Sequence, residues 1–69
     1  MKLETIVYLV EGNVVVRKVV GDMLDECYIE LERFDLDDPD AFDKCLTTFG
    51  MYHVESIELY DGIIGINIM

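Results

Sequence analysis

The side chains best equipped for chemistry in this chain are its carboxylates, 15 Asp and Glu against 5 Lys and Arg. Ten of the acids fall within residues 22–43: Asp22, Asp25, Glu26, Glu30, Glu32, Asp35, Asp37, Asp38, Asp40 and Asp43. Only Arg33 opposes them there, while the rest of the chain nearly balances, five acids against four bases. A field this concentrated draws in cations or basic protein surfaces and repels nucleic acid and anionic lipid.

Five of these acids, Asp35, Asp37, Asp38, Asp40 and Asp43, raise the question of calcium. A helix-flanked calcium loop needs an oxygen ligand at its fifth position, glycine at its sixth and a carboxylate at its twelfth. Counted from Asp35, those places hold Pro39, Asp40 and Leu46, so the pattern fails. The aspartates are better read as caps and as negative charge placed at a helix N-terminus. No metal or other cofactor is expected.

The nucleophile chemistry is equally thin. Cys27 and Cys45 lie in no CxxC spacing and are expected to face inward as free thiols. His53 is the only histidine, and one imidazole without a second soft ligand makes no zinc site. Cys45 and His53 flank a turn, yet anionic surroundings disfavour a thiolate. Ser56 has no nucleophile-elbow motif. The glycines fall at turns or in a strand, not in a phosphate-cradling loop. The chain is therefore expected to be a binding protein and not an enzyme.

These side chains must be held by a single domain, residues 1–69. Hydrophobic residues make up 52% of it, too many for a disordered acidic tail. No stretch approaches the roughly 18 apolar residues of a membrane span. The first residues do not form a signal peptide, so a cytoplasmic protein is expected. The organising element is a helix over residues 39–49. Asp38 is its N-cap, Pro39 its first position and Gly50 its left-handed stop. Phe42, Cys45, Leu46 and Phe49 form one apolar stripe along it.

Five strand segments surround this helix. Residues 3–10 are rich in β-branched side chains, and Gly12-Asn13 is a hairpin signal before residues 14–20. That hairpin would pair Leu9 with Val16 and Tyr8 with Arg17. Residues 26–33 alternate, with Cys27, Ile29 and Leu31 on one side and Tyr28, Glu30 and Glu32 on the other. A helix over residues 22–32 competes with that strand. After the helix, Asp61-Gly62 closes a second hairpin, pairing Leu59 with Ile64, Ile57 with Ile66, Glu58 with Gly65 and Ser56 with Asn67. The expected fold is α+β: an antiparallel sheet with one helix packed across it, in the order β-β-β-α-β-β.

On such a strand Glu30 and Glu32 stand about 6.8 Å apart. Alternate phosphates of one DNA strand, each advancing roughly 3.4 Å, have the same spacing. The aspartates entering the helix would continue the row, and Tyr28 on the same face could stack on a partner's arginines. In size, charge and compact α+β build the chain resembles the small acidic inhibitors of bacteriophages, DNA-mimic and anti-CRISPR proteins among them. That class shares no motif, so no residue role is transferred. The resemblance implies stoichiometric blocking of a host nuclease or effector complex at its nucleic-acid channel, within the bacterial cell. The alternative is a structural or assembly module that dimerises through an apolar sheet face including Val14, Val16 and Ile63.

Overall fold

A computed structural model describes residues 1–21, 24, 25 and 27–69. Asp22, Met23 and Glu26 lie outside the described residues. The chain begins with a short helix, α1 (Leu3–Ile6), running into a 3₁₀ turn (Val7–Leu9). Strands β1 (Asn13–Val20) and β2 (Cys27–Asp35) follow, then helix α2 (Pro39–Phe49), then β3 (Val54–Tyr60) and β4 (Ile63–Ile68). The strands form one sheet in the order β2-β1-β4-β3. Both hairpins are antiparallel, and they join through a parallel β1–β4 pairing. The fold is α+β, with a mixed four-stranded sheet and two helices.

The first expected strand is the main correction. Residues 3–9 are helical, and the hairpin at Gly12-Asn13 does not form. Leu3, Ile6 and Val7 sit at i, i+3 and i+4, and all three are buried. That helical stripe outweighs the β-preference of Ile and Val. A helix of four residues needs help with its free N–H groups. Here the Leu3 N–H donates to the Tyr52 carbonyl (2.9 Å) and the Glu4 N–H to the Gly50 carbonyl (3.0 Å). The carbonyls of Gly50 and Tyr52, just beyond α2, thus cap α1.

Helix α2 matches its sequence signals. The Asp38 carboxylate accepts from the Asp40 N–H (3.0 Å), and Pro39 opens the helix. Cys45 and Phe49 are buried and Phe42 and Leu46 half-buried, as the apolar stripe requires. Gly50 serves a different purpose from the one expected. Its φ is −55°, still right-handed, and its N–H continues the helical pattern to Leu46. A Cβ at this position would run into the Leu46 carbonyl oxygen, and Glu4 of α1 packs close by. The glycine lets the end of α2 close tightly over the Leu46 carbonyl.

Val14, Val15 and Val16 are each 0% exposed, the unbroken burial of a central strand. Val14 and Val16 join Ile66, Ile68, Phe34, Leu36 and both helices in the core, so they are not free for an interface between copies. The β3–β4 hairpin has the expected register, and Asp61 (φ 50°) and Gly62 (φ 74°) give its turn two positive φ angles. The helix layer does not reach across the whole sheet. Helix α2 lies against β2 and α1, leaving Ile57 (48% exposed) and Leu59 (76%) of β3 uncovered.

The two thiols part company. Cys45 is buried, and burial, with Glu32 adding a smaller effect, pushes its thiol up to about 11. Cys27 is exposed, contrary to the expectation that it faces inward. At pH 8 a maleimide is therefore expected to label the native chain once, at Cys27, with Cys45 reacting only after denaturation. Mass spectrometry of the labelled native protein checks this, and rapid double labelling would contradict the burial of Cys45.

Candidate acidic interface

Strand β2 decides where the expected row of carboxylates goes. Its pairing with β1 slips between Val16 and Arg17: Val16 faces Glu32, and Arg17 faces Glu30. One extra residue, Leu31, is accommodated there as a β-bulge, which reverses the alternation of faces. Glu30 and Glu32 therefore point to opposite sides of the sheet. Glu32 lies on the helix side, bonded to Lys44 of α2 at 3.0 Å. Glu30 lies on the open side, where Arg33 donates to both its oxygens at 2.6 and 3.1 Å. That guanidinium holds the Glu30 carboxyl below the usual carboxylate range. Tyr28 is on the open side too, with this chain's own Arg17 guanidinium 4.8 Å above its ring. The single row on one face does not form.

The five aspartates after the bulge lie along the stretch where β2 turns into α2. All five are exposed. Three are tied down by backbone donors. The Asp37 N–H donates to Asp35 (3.1 Å), the Gly12 N–H to Asp37 (3.3 Å) and the Asp40 N–H to Asp38 (3.0 Å). Leu36 in turn donates its N–H to the Gly12 carbonyl at 2.8 Å. Gly12, at φ 79°, makes the bend that allows this. Asp40 and Asp43, three apart on α2, share one side of the helix. Among the described residues, no lysine or arginine forms an ion pair with any of the five.

Glu11 was not among the expected site residues; it is exposed, and its neighbour Gly12 anchors Asp37. Of the other expected site residues, Asp25 is exposed on the β1–β2 connection, and Asp22 and Glu26 lie outside the described residues. Among the described residues, no three His, Cys, Asp or Glu side chains converge as metal ligands would. Nor is any helix among them long and apolar enough to cross a membrane.

A second polar group, also missed, lies on the open face of the sheet. Arg17 Nε donates to Asn67 Oδ1 (2.9 Å), and its terminal nitrogen donates to Glu58 Oε2 (3.0 Å). Asn67 Nδ2 donates to Ser56 Oγ (2.8 Å) and more weakly to Glu58 Oε1 (3.4 Å). Asn67 is fully buried, and its bond to Arg17 crosses the parallel β1–β4 pairing. The signal was present in the sequence: Arg17 and Asn67 each interrupt a run of Val or Ile. A buried polar group of this kind must be satisfied, and this one is. Its hydrogen bonds are internal, made among Arg17, Asn67, Ser56 and Glu58, although the Glu58 side chain stays partly exposed. Compared with known proteins, the chain matches no family model, no curated protein and no solved structure.

Proposed function

We propose that this chain is a non-enzymatic acidic binding protein. It inhibits a nucleic-acid-binding protein or effector complex by occupying the partner's cationic surface, as the phage-borne DNA-mimic and anti-CRISPR proteins it resembles would. The partner is a bacterial protein met in the cytoplasm, and the chain itself binds neither nucleic acid nor membrane. The supporting observation is the corner around Asp35, Asp37, Asp38, Asp40 and Asp43, joined by Glu11. Its exposed carboxylates lack a basic partner among the described residues, and three of them are held by backbone hydrogen bonds. Carboxylates already fixed in place lose little further freedom on binding. The contact area is this corner, not an extended line along β2.

The immobilised chain should capture nucleic-acid-binding proteins from a bacterial lysate at about 50 mM salt and release them by about 500 mM, as screening of exposed charges requires. Added double-stranded DNA should release the same proteins at low salt. Capture that resists both salt and DNA would overturn the proposal.

A further inference from the structure

We propose that the free edge of β3, residues 55–60, receives an extended segment of a basic protein as an added fifth strand. Among the described residues, strand β3 lies at one end of the sheet and neighbours β4 alone. At its start the edge is occupied, because the Val54 N–H donates to the Met1 carbonyl (2.8 Å) and Lys2 forms a bridge with His53. Beyond Val54, no described residue pairs with that side of β3. An unpaired strand edge is a template for another strand. The opposite edge, β2, is interrupted in mid-strand by its bulge. The irregularity of β3 falls at its start, between Val54 and Ser56, and leaves residues 56–60 regular, so β2 is the poorer template.

The side chains say what sort of strand fits. Ile57 and Leu59 stand side by side on the helix-side face, exposed where neither helix covers them. A guest strand would cover them with its own apolar side chains. On the open face it would meet Ser56 and Glu58, with Glu55 and Asp61 flanking. Glu58 already holds Arg17, and no other base among the described residues forms an ion pair with these acids. The complementary guest alternates apolar residues with lysine or arginine.

A second copy of this chain fits poorly. In a two-fold antiparallel pairing of β3 with itself, centring on Glu58 sets Ile57 against Leu59 but Glu58 against Glu58. Centring on Ile57 sets Leu59 against Glu55, and centring on Leu59 sets Ile57 against Asp61. Each register with an apolar match thus sets a carboxylate against a carboxylate or against an apolar side chain, between two bodies of net charge −10. The inference does not depend on the acidic corner, since β3 alone defines this partner.

The test uses the full chain labelled with ¹⁵N and a synthetic peptide of about eight residues alternating valine and lysine. Every other amide within residues 55–60 should exchange at least about tenfold more slowly when the peptide is saturating. A peptide with glutamate in place of lysine should have no such effect. Ile57→Lys with Leu59→Lys should weaken peptide binding about tenfold, since both exposed side chains lose their apolar cover. Unchanged exchange at residues 55–60, with shifts gathered at residues 35–43, would overturn the proposal in favour of simple attraction to the acidic corner. Protection of the same amides without peptide, accompanied by a dimer mass in sedimentation, would overturn it in favour of a second copy.

Discussion

Phe49→Ala is expected to leave a large part of the population unfolded at 25 °C. Phe49 ends α2, 8% exposed, with its ring 5.9 Å from Phe34 and 6.0 Å from Tyr52. Emptying a buried phenylalanine site costs about 3–5 kcal/mol. A chain of 69 residues has a total stability of about 3–10 kcal/mol. The loss therefore consumes most of the margin. It also spreads, because the carbonyls just beyond Phe49 cap α1, so loosening the end of α2 releases Leu3, Ile6 and Val7. Urea unfolding followed by far-ultraviolet circular dichroism reads the effect. Leu59→Ala is the control, since its exposed side chain predicts a change within about 0.5 kcal/mol. A loss at Phe49 below about 1 kcal/mol would mean that the Phe34–Phe49 contact does not anchor the core.

The parts of this fold that the sequence made legible are those specified by neighbours in the chain. Asp38, Pro39 and the Phe42–Phe49 stripe define α2 within one stretch, and Asp61-Gly62 sets both the turn and the register of β3 on β4. The parts that stayed hidden depend on distant contacts. Helix α1 has no side-chain cap of its own, and its donors are satisfied by carbonyls some fifty residues away. The parallel pairing of β1 with β4 has no turn to announce it. The bulge at Leu31 was concealed by perfect alternation, since Cys27, Ile29 and Leu31 against Tyr28, Glu30 and Glu32 read as an uninterrupted strand.

That single extra residue also reshapes the acidic site. Without it, Glu30 and Glu32 would share a face and extend the aspartate row. With it, each finds a base of its own chain, Arg33 on one side and Lys44 on the other. The open face then gathers Tyr28, Arg17, Glu58, Asn67 and Ser56 into a closed polar network, and the excess charge is displaced to the corner before α2. The asymmetry visible in the sequence is retained in space, but over a smaller area.

It follows that charge reversal must be aimed with care. Lysine at Glu30, Glu32, Asp37 and Asp38 would break the pairs with Arg33 and Lys44, the Gly12 contact and the α2 cap, so lost binding could reflect a damaged fold. Glu11→Lys with Asp40→Lys and Asp43→Lys avoids this, because those carboxylates are exposed and accept none of the hydrogen bonds that shape the corner. The cost of placing cations near the N-terminus of α2 should be about 1 kcal/mol for the set, offset in part by weaker self-repulsion. Affinity for the cationic partner should fall at least about a hundredfold, since three attractions become three repulsions at roughly 1 kcal/mol each. Asp38→Asn is the companion variant: asparagine still caps the helix, so stability should hold while affinity falls by about three- to tenfold. Urea unfolding and a competition titration against labelled DNA on the captured partner measure the two quantities separately. A triple variant that folds normally and binds as tightly as the parent would remove the acidic corner from the mechanism.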